Sequence, residues 1–238
     1  MRSFAWNELG PGRKGRQAMS QQKEYLVRRA QGPVRLACED AVWNQAERLE
    51  IDEYPWYVSG QKQRTTVAML YDSSALYALF ICEDRHISAA ETRPNGDVYL
   101  DSCVEFFAMP APDRSEEYFN LEVNCCGTVH LGFGAGREGR RLAPPEVLEQ
   151  IRIATSIPTP TKDESPSDDG WWLAAAVPFK AIAELAGFEV TPTSGALWRA
   201  NFYRCGGKTD PQLACWNRIE WDKPDYHRPE FFGKLLFE

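Results

Sequence analysis

The chain has 238 residues, 43% of them hydrophobic and 12% aromatic, enough to bury a sizeable core, and all-β units of about 200 to 250 residues commonly stand as one domain. A net charge of −7 without a dense basic stripe argues against a phosphate-backbone partner, so nucleic acid is not an expected ligand. No run reaches the roughly 18 apolar residues of a membrane span, so no membrane partner is expected either.

Residues 1–22 are polar, basic and Gly-rich and are read as a disordered N-terminal tail. They lack the apolar stretch of a secretory signal, which predicts a cytoplasmic location. Residues 23–238 are expected to form a single β-sandwich domain. Its strand-like runs are, in order, "TTVAMLYD", "ALYALFIC", "YLDSCVEFFAM", "YFNLEVNCC", "GTVHLGFG", "QIRIATSI", "WWLAAAVP", "ALWRANFYRC" and "GKLLFE". Turn formers such as "DSS", "PNGD", "PAPDRS" and "TPTS" bound them, which predicts an all-β, jelly-roll-like antiparallel sandwich with one or two short helices. One helix is clear near Pro178 to Ala186, with Pro early, Gly187 after its end and apolar residues at helical spacing. It should cap one end of the sandwich.

Strand side chains alternate faces, and three runs carry polar residues on one face. In "YLDSCVEFF" the outward set is Asp101, Cys103, Glu105 and Phe107, and in "YFNLEVNCC" it is Asn120, Glu122 and Asn124. "ALWRANFYRC" adds Arg199, Asn201 and Tyr203, while Trp198, Ala200 and Phe202 turn inward. If "MPAPDRSE" is the hairpin loop, Glu105 falls opposite or near Asn120 and Asp101 near Asn124. Planar amides and carboxylates can hydrogen-bond vicinal hydroxyls, and an aromatic ring can cover the C–H face of a pyranose. Tyr99, Trp216 and Tyr226 are candidates for the aromatic half, with His227 beside them. Asp101, Glu105, Asn120, Glu122 and Asn201 are candidates for the hydrogen-bonding half. Trp43, Trp171, Trp172 and Trp198 are assigned to the core, and Trp56 fits either a wall of the site or the core.

Seven cysteines, an odd number with no CxxC pair, suggest reduced core thiols rather than a zinc site or a disulfide framework. "GFGAGREGRR" at Gly132 to Arg141 has the look of a phosphate loop, but it follows a hairpin-like strand and precedes Pro144 and Pro145, which oppose an immediate helix. It is read as a basic surface loop at the rim of the site.

In their order, "IDEYPW", "AMLYDSSALYALFICED", "DSCVEFF", "YFNLEVNCCG", "WWLAAAVPF", "WRANFYRC", "ACWNRIEW" and "PDYHRPEFFGKLLFE" make the chain similar to the family 9-like carbohydrate-binding modules, a DOMON-like β-sandwich group with standalone bacterial members. The similarity runs from about Ala41 to Glu238. It implies noncovalent binding of a saccharide or small glycoside on one sheet face, without catalysis. In xylanase-linked members a terminal sugar is clamped between two tryptophans; by resemblance the clamp positions are Tyr99 and Tyr226. The strand acid carries over to Glu105, and a polar ligand to Asn120, where the family example has an arginine. No cofactor is implied, although some members hold a structural calcium; no loop here has EF-hand spacing. A protein partner is left unassigned.

Two rival functions can be framed. Glu105 and Glu122 on adjacent strands have the arrangement of a glycoside-hydrolase carboxylate pair. Related sandwiches can hold haem, but His86, His130 and His227 form no axial pair with Met69 or Met109.

Overall fold

The structure, a computed structural model, describes residues 22–238. The expected N-terminal tail, residues 1–22, lies outside these apart from Gln22. Thirteen strands are present among the described residues: β1 (Glu24–Arg29), β2 (Arg48–Glu50), β3 (Thr65–Tyr71), β4 (Ala75–Glu83), β5 (Cys103–Met109), β6 (Tyr118–Asn124), β7 (Val129–Gly134), β8 (Arg141–Leu142), β9 (Arg152–Thr155), β10 (Gly170–Pro178), β11 (Leu197–Cys205), β12 (Ala214–Cys215) and β13 (Gly233–Phe237). They run in the order β8-β7-β6-β5-β11-β13-β1-β3-β4-β10-β9, with β2 on β3 and β12 on β11. The fold is a β-sandwich made by curling this continuous sheet.

The sheet is mixed rather than strictly antiparallel. β1 runs parallel to both neighbours: Glu24 to Val27 pair with β13, and Arg28 and Arg29 pair with β3. It therefore stitches the two layers together. The sequence reading missed it because Glu24, Arg28 and Arg29 crowd a six-residue run, of which Tyr25 and Val27 are the buried pair. β2, β8 and β12 were missed as well, being two or three residues long.

Between the layers lie the inward residues of both: Val67, Met69 and Phe80 from one side, Val104, Phe106, Phe119, Leu121 and Phe202 from the other. Phe106 stacks on Phe202 with centroids 4.9 Å apart. β3 and β4 are buried on their outer face too, because Val34, Leu36, Val42 and Trp43 fold back over Leu70, Leu79, Ala174 and Ala176. This explains why their sequences read as continuous apolar runs instead of alternating ones.

The expected helix is α2 (Phe179–Ala186), which sends Phe179, Ala181 and Ile182 into the core. It ends at Gly187, whose φ of 76° suits a residue without Cβ, and whose N–H reaches the Ala183 carbonyl. The second helix, α1 (Pro145–Leu148), was not expected after the paired prolines. Pro144 caps it and Pro145 occupies its first turn, where no N–H is needed. No helix among the described residues is long and apolar enough to cross a membrane.

Candidate functional site

β5, β6 and β11 place their polar residues on one outer face, as their alternation requires, and Asp101 does meet Asn124, whose Nδ2 donates to it at 2.9 Å, but Glu105 is not directly opposite Asn120. Glu105 sits directly opposite Glu122, Phe107 opposite Asn120 and Cys103 opposite Asn124. The hairpin is displaced by two residues, which keeps every side chain on its expected face while exchanging its partner. Tyr99 is not in a strand at all: Val98–Leu100 form a 3-10 turn and the strand starts at Cys103.

The face is not open. The segment from Trp216 to Phe232 crosses it and is fastened mainly by β11. Asn201 Nδ2 donates to the Asn217 carbonyl at 3.0 Å, and its Oδ1 accepts from the Asn217 N–H at 2.8 Å and the Phe202 N–H at 3.0 Å. Arg199 donates to the carbonyls of Glu230 and Phe232, and the Tyr203 hydroxyl donates to the Tyr226 carbonyl. Beneath this cover Phe107, Tyr118, Tyr203, Tyr226 and Phe232 make a second core. What remains of the polar face is a cleft of about 650 Å³. Glu105, Asn120 and Glu122 are on its floor with Phe107 and Cys205; Asp225, Tyr226 and His227 form one wall; Arg137, Arg140 and His130 form the other; Tyr99 and Leu142 stand at the mouth.

The floor is a hydrogen-bonded relay. Arg140 Nε donates to Asn120 Oδ1 at 2.8 Å, and Asn120 Nδ2 donates to Glu122 Oε1 at 2.7 Å. Arg140 also donates to the carbonyls of Tyr118 and Gly136 and lies over the Tyr118 ring. Gly132, opposite Asn120 on β7, leaves the room: a Cβ there would come within 2.7 Å of Asn120 Oδ1 and 3.3 Å of Arg140 Nε. An arginine thus reaches Asn120 from the β7–β8 hairpin.

Glu105 and Glu122 are 3% and 6% exposed. Burial, then the charge of Glu122, raises Glu105 well above the usual carboxylate range, against the opposing hydrogen bond from the Cys205 thiol at 2.8 Å. Glu122 is raised by burial too, with His130, the Asn120 amide, Arg140 and Arg137 pulling it back. Burial and the nearby Glu105 charge also push Cys205 well up, so its Sγ stays protonated as a donor. Burial and the two arginines lower His227 to about 3, leaving a neutral ring whose Nδ1 is hydrogen-bonded with the Tyr118 hydroxyl at 2.9 Å. Arg137 is paired with Asp225 at 3.0 Å.

The cleft brings together six of the nine expected site residues: Tyr99, Glu105, Asn120, Glu122, Tyr226 and His227. The other three lie elsewhere for clear reasons. Asp101 precedes β5, and its carboxylate accepts from the Ala90 and Glu91 N–H groups and from Asn124 Nδ2, pinning the loop beneath it. Asn201 is consumed by Asn217, as described. Trp216 turns between the layers and meets Phe202 edge-on at 5.6 Å. Tyr226 lines the cleft but is no free platform: one face stacks on Tyr203 at 4.1 Å and its hydroxyl donates to the Arg204 carbonyl. Trp56 packs against it at 5.8 Å, so a clamp of two open rings is not built. Tyr99, half exposed, keeps an available surface.

Sequence reasoning missed His130, Asp225 and Cys205 as parts of the cleft, and its rim loop contains Arg137 and Arg140 without singling them out. The signal for the arginines was the basic "GREGRR" string. His130 could have been found from its place opposite Glu122. Among the described residues no group of three or more His, Cys, Asp or Glu side chains is placed to hold a metal ion, and the Asp101 carboxylate is engaged by N–H groups and the Asn124 amide. His86 faces Glu164 at 3.3 Å, while Met69 and Met109 are buried in separate cores. The seven cysteines are free thiols, five of them buried.

The sequence profile of carbohydrate-binding family 9 matches residues 32–237. No curated protein matches the chain. Among solved structures, a protein from Bacteroides uniformis with a provisional carbohydrate-binding description superposes with a TM-score of 0.80 at 25% identity, covering 92% of this chain and all of that one. A family 9 carbohydrate-binding module from Caldicellulosiruptor kristjanssonii shares the fold in two complexes. With cellotriose the TM-score is 0.60 at 17% identity, over 91% of this chain and 94% of that one. With glucose it is 0.60 at 18% identity, over 91% and 96%.

Proposed function

The chain belongs to carbohydrate-binding family 9, a family of non-catalytic binding modules, and from that premise we propose that it holds the end of a saccharide in the cleft above β5 and β6. The observation that carries this reading is the convergence of Glu105, Glu122 and Asn120 on the floor of a 650 Å³ cleft, a volume in the usual range for small-molecule sites. Sugar hydroxyls would meet the carboxyl oxygens and the Asn120 amide, and the Tyr99 ring would cover a C–H face at the mouth. The neighbours in complex with cellotriose and glucose support a gluco-configured ligand as the first to test. The sheet's continuity through β1 supports reading residues 23–238 as one binding domain.

The carboxylate pair does not make this a hydrolase, because the family binds without catalysis. A shallow site with few hydrogen bonds, each exchanged against water, should bind at micromolar affinity or weaker. Isothermal titration calorimetry with glucose and cellotriose tests the reading. Binding should be saturable and one to one, and weakened by Asn120→Ala. Absence of heat with either sugar at millimolar concentration, in a folded protein, would refute it for gluco-configured ligands.

A further inference from the structure

We propose that Glu105 and Glu122 hold one proton between them and act as a joint donor and acceptor, so that the cleft takes a neutral sugar diol and refuses a uronate. This rests on reading the cleft as the saccharide site. The two residues are directly opposed on antiparallel strands, where Cβ atoms stand about 5 Å apart. Each has one oxygen engaged by the protein: Glu105 Oε1 by the Cys205 thiol, Glu122 Oε1 by the Asn120 amide. Neither has any further hydrogen bond to the described residues.

What surrounds the pair offsets only part of two negative charges: His130, Arg140 and Arg137 favour an ionised Glu122, and Arg137 an ionised Glu105, yet burial outweighs them. From the β7–β8 loop, Arg137 is tied to Asp225, and Arg140 is spread over four backbone carbonyls and Asn120. From β7, His130 turns Nδ1 to the Gly96 carbonyl. From the covering segment, Asp225 adds an acid, His227 is neutral, and the Tyr226 hydroxyl is spent on Arg204. From β11 come Cys205, a thiol, and Tyr203, whose hydroxyl is also spent on a carbonyl. Two opposed carboxylates buried this deeply do not both ionise readily, and both are displaced upward, as this requires. One protonated and one ionised carboxyl offer an O–H donor beside an oxygen acceptor. A vicinal diol, whose hydroxyls both donate and accept, complements that pattern; a carboxylate on the sugar would bring a second negative charge to the same floor.

The test has two readouts. In ligand-free protein with carbon-13-labelled glutamate, carboxyl shifts are followed by NMR from about pH 5 to about pH 9. One step of the pair should lie near or above neutrality, and Glu105→Gln should lower the apparent pKa of the remaining Glu122. Glucose and glucuronate are titrated calorimetrically over the same range. Glucose affinity should fall about tenfold per pH unit beyond the upper step, and glucuronate should not bind. The proposal is overturned if both carboxyls ionise well below neutrality, if glucose affinity stays flat with pH, or if glucosamine binds more tightly than glucose above neutrality, which would mark a cation site. A shared proton found by NMR with no sugar bound at any pH would instead sink the saccharide reading and, with it, the recognition role.

Discussion

Replacing Asn201 by alanine separates fastening from ligand contact. Its side chain is fully buried and makes three hydrogen bonds, two of them to the backbone of Asn217 at 2.8 and 3.0 Å and one to the Phe202 N–H at 3.0 Å. At about 1 kcal/mol each, Asn201→Ala should cost about 3 kcal/mol, and more where the Asn217 groups stay buried without partners. For a chain of this size that is a fall in Tm of about 6 to 12 °C. The assays are thermal and urea unfolding, with sugar calorimetry well below Tm. Destabilisation is expected, with sugar affinity weakened only as far as the covering segment loosens. An unchanged Tm with sugar binding abolished would refute this and restore Asn201 to the ligand role its strand position suggested.

Tyr99→Ala should leave stability within about 0.5 kcal/mol, since the ring is half exposed, but weaken sugar binding about tenfold by calorimetry. Gly132→Ala should displace Asn120 and Arg140, weakening sugar binding about tenfold if one charge-assisted bond is lost; unchanged affinity would show that the relay does not position the ligand. Stability should depend on pH in two directions. The folded-state pKa of the Glu105–Glu122 pair is raised, so the native state holds the extra proton and its stability declines as pH rises from the ordinary carboxylate range toward the raised pKa. His227, lowered to about 3, has the opposite sign: its contribution is present above about 6.5 and is lost as pH falls toward 3. Between the ordinary carboxylate range and the raised pKa the pair therefore contributes a falling slope of ligand-free Tm with pH, and Glu105→Gln should flatten that contribution.

The alternation in β5, β6 and β11 made the polar face legible, since side-chain direction in a strand is local. The ends of the α2 helix were legible for the same reason, through Pro178 and Gly187. What lay out of reach was tertiary. Nothing in the "ALWRANFYRC" pattern tells a sugar ligand from a fastener, and Asn201 became the latter because residues 216–232 return across its face. The same return covers the Tyr226 ring with Tyr203, and the β12 turn takes Trp216 inside. The two-residue hairpin displacement was invisible because it preserves parity, yet it is what places Glu105 against Glu122.

The most direct test is a crystal structure with cellotriose. The account requires a terminal glucosyl ring over Glu105, Asn120 and Glu122, with Tyr99 against it and Trp216 and Asn201 untouched. A sugar bound instead in the groove between Pro178 and Thr191 would contradict it.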